Sequence, residues 1–149
     1  MKRTGLILSI VFVLIAASAK AQDYKMGLGI RLSSNPAIVN NSISFKYFFT
    51  DKTAAEALFS LEKPFALGLL VEQHQPFMGN GFKYFYGGGA YAAFSGEKTV
   101  GLQGVLGLDY KLPSIPFNLS VDWKPELTLA NQVSFEPAAL GLSARFTFK

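Results

Sequence analysis

Three sets of side chains in this sequence are of types that do chemistry. His74 is the only histidine. A hydrolytic site would need its imidazole beside a nucleophilic serine and an orienting carboxylate. Glu72, Asp109 and Asp122 are carboxylates of the kind that ligate metals. Gly101-x-x-Gly104-x-x-Gly107 and Gly87-Gly88-Gly89 have the glycine density of a phosphate-binding loop. The chain has no cysteine, which excludes disulfides, thiolate catalysis, a lipidated N-terminal cysteine and Cys-ligated metals.

The elements that carry these residues decide among the chemistries. A phosphate loop needs a following helix whose N-terminus meets the anion, and no helical periodicity follows either glycine run. Both runs lie in segments that alternate with a period of two, where glycine lets a sheet bend and lets large neighbours pack. The same alternation sets Glu72, Asp109 and Asp122 on a face that also carries Lys and Arg, which reads as ion pairing rather than metal binding. His74 falls at the end of a strand, near a rim, and reads as a polar rim residue.

The alternation runs through most of the chain. Its clearest instance is the last segment, from about residue 138 to 149. There Leu140, Leu142, Ala144, Phe146 and Phe148 alternate with Gly141, Ser143, Arg145 and Thr147, giving one apolar and one polar face. Tyr24 to Ser33 alternates strictly. Ile43, Phe45, Tyr47 and Phe49 oppose Ser42, Ser44, Lys46 and Phe48. Residues 53–61 alternate more weakly and have helical propensity as well. Leu67, Leu69 and Val71 oppose Gly68, Leu70, Glu72 and His74. Residues 82–91, 102–110 and 117–124 complete the set, with turn signals at Thr50-Asp51-Lys52, Glu62-Lys63-Pro64, Pro76–Gly81, Ser95-Gly96-Glu97-Lys98 and Pro113-Ser114-Ile115-Pro116. A loop spans Ser33–Asn41 and a connection spans Thr128–Ser134. These segments predict about eight antiparallel strands. Closing them into a barrel removes the edge that the last strand would otherwise expose.

The first residues are of a different kind. Lys2 and Arg3 precede an apolar run of 13 residues, Gly5 to Ala17, and Ala19-Lys20-Ala21 has a small-x-small pattern. This predicts a cleaved signal peptide over residues 1–21, because the run is short of the roughly 20 apolar residues that a membrane helix needs. Three of the 14 basic residues and none of the 10 acidic ones lie in that segment. Residues 22–149 therefore carry eleven basic and ten acidic groups, a net charge of +1. The basicity of the whole chain thus gives no support for a nucleic-acid partner.

The polar face carries Lys25, Arg31, Lys46, Glu56, Glu72, Lys83, Asp109, Asp122, Lys124 and Arg145. Inside a narrow barrel these ten form a structural ion network, with Arg145 near Asp109, Asp122 or Glu72. Phe48, Leu58, Leu70, Phe85 and Tyr91 share the face and narrow the lumen. Tyr24, Phe49, Phe82, Tyr84, Tyr110, Phe117, Phe146 and Phe148 fall on the apolar face at the rim where the chain begins. That is the aromatic girdle of a membrane barrel. The expected fold is all-β: an eight-stranded antiparallel up-and-down transmembrane β-barrel over residues 22–149. A soluble ligand-binding barrel, with the apolar face inside, is the alternative.

The chain resembles small bacterial outer-membrane barrels of the OmpX/OmpW kind, in the Bacteroidetes-type variety. The resemblance rests on the signal segment, Gly87-Gly88-Gly89-Ala90-Tyr91, the stretch from Gly107-Leu108-Asp109-Tyr110-Lys111 to Asp122-Trp123-Lys124-Pro125, and the alternating end at Phe146 and Phe148. It implies the outer membrane of a Gram-negative bacterium and lipid or lipopolysaccharide around the barrel. It also implies assembly by the barrel-insertion machinery through a C-terminal aromatic, although here Lys149 follows Phe148. Activity does not follow from such a fold. The leading expectation is a monomeric, porin-like, non-enzymatic structural or interaction barrel with a filled lumen, no cofactor and no metal. The alternatives are a narrow channel or binding barrel for a small apolar molecule, and a lipid A-modifying hydrolase or acyltransferase using His74. Cleavage after Ala21 leaves Gln22 as the mature N-terminus. Intact mass of the membrane-extracted protein should lack residues 1–21, and a mass that includes them refutes the signal reading.

Overall fold

The computed structural model describes residues 24–34, 37–78, 81–94, 98–130 and 132–149. The signal segment 1–21, Pro36 and the Ser95-Gly96-Glu97 turn lie outside the described residues. Ten strands follow one another and no helix occurs among the described residues: β1 Met26–Ser33, β2 Ser42–Phe48, β3 Thr53–Ser60, β4 Ala66–Pro76, β5 Phe82–Ala93, β6 Thr99–Lys111, β7 Phe117–Trp123, β8 Glu126–Thr128, β9 Ser134–Glu136 and β10 Leu140–Phe148. Consecutive strands pair antiparallel from β1 to β7, and β10 lies between β7 and β1. These eight strands close the barrel, as the alternation predicts. Residues 53–60 of the expected 53–61 form β3 despite their helical propensity, because β2 and β4 pair with it on both sides.

The two short strands extend the wall at one end. β8 continues β7 in the same register against β6, with Leu106 opposite Trp123 and Gln103 opposite Glu126. The ladder breaks between them at Pro125, which has no N–H to donate, although its carbonyl still accepts from Gly104 N at 3.0 Å. On the other side, Glu126 faces Glu136 while Trp123 faces Leu140. Three residues, 137–139, thus oppose two, 124–125, which is a bulge. The connection expected over Thr128–Ser134 is thus joined to the wall at its two ends, Thr128 in β8 and Ser134 in β9.

The first described residues and the end of β10 lie at one rim, here the proximal rim, where Lys25 N donates to Phe148 O at 2.9 Å. Along the strands, side chains alternate between a buried interior and an exposed outer face. The outer face is apolar over the whole ring, with Leu69 at 56% and Leu142 at 58% exposure. Its aromatics gather at both rims. At the proximal rim Phe82 stacks on Tyr110 at 4.2 Å, and Phe146 packs against Phe117 and Phe148 at 5.5 and 4.9 Å. At the distal rim Phe59, Phe65, Phe94, Trp123 and Phe135 are all exposed. The second row was not expected.

One member of the first row is misplaced by the alternation. Tyr24 precedes the first ladder pair, Met26 with Phe148, so the pleat does not bind it. Its ring turns into the mouth and packs edge-on against Phe48 at 5.2 Å. Lys25 takes the outer side in consequence. It is exposed, with Nζ 5.9 Å from the Tyr47 ring.

The glycine runs have a packing role. Phe85 is paired with Gly107 and Tyr91 with Gly101 across β5 and β6. A Cβ on Gly107 would lie 2.5 Å from Phe85 Cζ, and one on Gly101 would lie 2.5 Å from the Tyr91 ring. Each aromatic lies flat on the strand beside it because that strand offers no side chain. Gly107→Val should therefore cost about 1–3 kcal/mol, the usual effect of overpacking. It should appear as a lower unfolding temperature of the detergent-folded barrel, and an unchanged temperature would show that Phe85 does not need the space.

Candidate functional site

Charged and polar side chains of the interior come from every barrel strand but β5, and most of them meet in three clusters. The central one forms around Glu56 on β3. Lys46, directly opposite on β2, brings Nζ to 3.6 Å from Glu56 Oε2 and 2.7 Å from Glu72 Oε2 on β4. Arg145 on β10 also pairs with Glu56. Its Nε donates to Ser44 Oγ at 2.6 Å, and its Nη1 donates to Ser120 Oγ at 2.7 Å and Asn118 Oδ1 at 3.4 Å. Asn118 Nδ2 passes the link to Asp109 Oδ1 at 2.7 Å.

Arg145 must cross β1 to reach Ser44 and Glu56. The residue of β1 between Arg145 and Ser44 in register is Gly29. With no side chain there, the guanidinium passes over the strand. The partners expected for Arg145 were Asp109, Asp122 or Glu72, and the structure corrects this to Glu56. Asp122 is held by a different arginine, and Asp109 is reached only through Asn118.

The second cluster repeats the device. Arg31 on β1 reaches over β10 to Asp122 on β7, with Nη2 2.6 Å from Oδ1 and Nε 3.1 Å from Oδ2. The β10 residue opposite Asp122 is Gly141, and a Cβ there would lie 2.2 Å from Arg31 Nη2. The two-point contact fixes the guanidinium plane.

The third cluster lies at the distal end. Lys124 Nζ is 2.5 Å from Glu126 Oε1 and 3.3 Å from Gln103 Oε1. Glu126 also accepts the backbone N–H groups of Ile38 and Val39, at 2.7 and 3.2 Å. Glu126 is absent from the residues that the periodicity singles out. The signal was present, since the period of two from Asp122 and Lys124 continues to Glu126, but Pro125 reads as a strand end.

His74 is not a rim residue. It is buried at the proximal end, stacked on Phe85 at 4.9 Å and edge-on to Phe48 at the same distance. Its Nε2 is 2.9 Å from Glu72 Oε2 and its Nδ1 is 3.8 Å from Asp109 Oδ2. Its ring nitrogens thus face two carboxylates. Lys83 lies at the mouth, with Nζ 5.8 Å from the Phe48 ring. With Tyr24, Lys25, Phe49, Thr50 and Asp51 it lines an opening of about 340 Å³. Of the ten expected interior charges, Arg31, Lys46, Glu56, Glu72, Asp109, Asp122, Lys124 and Arg145 are buried, Lys83 is at the mouth and Lys25 is outside. Among the described residues, no three His, Cys, Asp or Glu side chains are placed to hold a metal ion.

The rest of the interior is largely apolar, with Ser42, Ser60, Ser143 and Thr147 buried among it. Leu58, Leu70, Phe85, Tyr91 and Val105 form one cluster together with Val39. Tyr91 Oη meets Thr128 Oγ1 at 2.7 Å, crossing Gly101 to reach β8. No protein-family model, curated protein or solved structure matches the chain.

The central cluster yields a direct test. Arg145→Leu leaves Glu56 buried with one cation fewer, and breaking a buried pair from one side costs about 3–5 kcal/mol. The variant should unfold at a clearly lower temperature in detergent. The double variant with Glu56→Leu should recover part of the loss, since Lys46 keeps Glu72. Equal stability of wild type and Arg145→Leu would mean that water solvates this site.

Proposed function

We propose that this chain is an integral outer-membrane β-barrel of the small OmpX/OmpW-like kind, with a structural or interaction role and no catalysis. The observation that carries this reading is the polarity of the two faces. A water-soluble barrel buries its apolar face; here that face is outside, and the charges are inside. Leu106, Leu108 and Val121 are 51%, 42% and 49% exposed. Monomeric soluble proteins rarely expose contiguous apolar patches beyond a few hundred Å², whereas a lipid-facing barrel wall is apolar throughout. The two aromatic rows support the same reading. From Tyr84 to Phe94 along β5 the chain rises about 33 Å. A strand tilt of roughly 40° reduces that to about 25 Å along the barrel axis, the usual height of the apolar band.

The packed interior supports a filled lumen over an open pore. Tyr24, Phe48, His74 and Phe85 pack at the proximal end, the cluster around Glu56 occupies the middle, and Leu58, Leu70 and Tyr91 lie toward the distal end, where Lys124 and Glu126 pair. His74 serves packing and hydrogen bonding in this account, since its ring nitrogens face Glu72 and Asp109. The partners of the barrel are outer-membrane lipid and lipopolysaccharide, met as a monomer after delivery through the periplasm to the insertion machinery. The apolar cluster of Leu58, Leu70, Tyr91 and Val105 favours a second reading, a binding barrel for a small apolar molecule.

The test uses the cysteine-free background. Leu106→Cys and Val121→Cys, each carrying an environment-sensitive dye in liposomes, should be quenched by lipid-chain quenchers and ignored by aqueous ones. Quenching only from water, at both positions of a folded sample, refutes the membrane reading.

A further inference from the structure

Residues 37–41 do not run over the distal rim as a surface loop. Asn40 and Asn41 are tied to the β2–β3 side, where Ser60 Oγ donates to Asn40 Oδ1 at 2.6 Å and Leu61 N donates to Asn41 O at 2.7 Å. From there the segment enters the bore. Ala37 and Val39 are buried, at 4% and 0% exposure, and Val39 belongs to the apolar cluster of Leu58, Leu70 and Tyr91. The far end rests on Glu126. Its two carboxylate oxygens accept successive backbone N–H groups, those of Ile38 and Val39.

We propose that residues 37–39 are a strap closing the distal end of the interior, and that Glu126 is its latch. Two features separate this contact from ordinary wall packing. The wall is held by continuous ladders, whereas the strap enters no ladder among the described residues. At this end it is held by two hydrogen bonds to one side chain. The latch is also shared. Lys124 Nζ, 2.5 Å from Glu126 Oε1 and in reach of Gln103, fixes the carboxylate from the wall side. Glu126 is thus tied at once to the wall and to the strap, and losing its strap contacts frees the strap while the ring stays closed. The strap then loosens from the wall, and Val39 leaves the apolar cluster. This holds whatever medium surrounds the barrel, so it goes beyond the membrane reading and can fail independently of it.

The test reads access to the apolar cluster. The probe is Leu70→Cys, at a position buried in the same cluster as Val39. In the folded protein its reaction with N-ethylmaleimide should be slow, and adding Glu126→Ala should speed it at least ten-fold. Glu126→Gln keeps an oxygen acceptor and should fall between. Ile38→Pro removes one of the two strap N–H groups without touching the wall. It should give the same direction of change, and it keeps the test open should Glu126→Ala fail to fold. Ala54→Cys, buried at the proximal end, serves as the control and should react at one rate in all backgrounds. Unchanged reactivity of Leu70→Cys in the folded variants overturns the latch. So does equal acceleration at Ala54→Cys, which would mean that the whole barrel had loosened.

Discussion

A charge inside a ring of eight strands must find its partner inside the same ring. Removing an ion from water costs several kcal/mol, and only a partner with good geometry offsets it. This constraint organises the interior. Four buried cations, Arg31, Lys46, Lys124 and Arg145, meet five buried carboxylates, Glu56, Glu72, Asp109, Asp122 and Glu126. Few of these contacts join neighbours in one ladder. Lys46 and Glu56 do so, while both arginines reach across an intervening strand. Crossing requires a floor without side chains, and Gly29 and Gly141 provide it. Tyr91 over Gly101 and Phe85 over Gly107 follow the same rule with rings in place of guanidinium groups. Long side chain and inward glycine therefore belong together as one unit. Replacing either changes what the other can reach.

That coupling explains what could be read from the sequence. The period of two states which face a residue takes, and it holds for nearly every position within a ladder. It fails at the very start of the chain's wall, where Tyr24 precedes the first ladder pair and turns inward while Lys25, though its N–H and C=O bond Phe148 and Phe48, points outward. Partner choice was not legible. The pairing of Arg145 with Glu56 depends on side chains crossing the bore and on which acid Arg31 has already taken. Neither follows from a position along one strand. The distal aromatics were missed for a related reason. Phe65 and Phe94 lie one residue beyond their strands, and Phe135 lies past a bulge in a segment that reads as a connection.

Glu126 shows the cost of reading proline as a terminator. Pro125 interrupts one ladder bond, yet the register on either side of it is the same. The wall therefore continues, and with it the inward position that Glu126 occupies. A proline in a strand removes a donor; it does not by itself turn the chain.

The distribution of polarity also bears on where such a fold can be stable. Buried ion pairs contribute little net free energy, and replacing them with apolar packing is often neutral or stabilising. The interior is mostly of that kind, with small apolar clusters at either end. The larger apolar area faces outward, where burial in water could not count toward folding. The usual yield of about 25 cal/mol per Å² comes only from area removed from water. A polar core with an apolar exterior therefore leaves the main favourable term to the surroundings. In lipid, the same exterior is removed from water, and among the described residues each of the eight strands that close the ring is paired on both sides. The interior then has a different task. It must satisfy every charge that the alternation places there, so that closing the ring is not opposed from within.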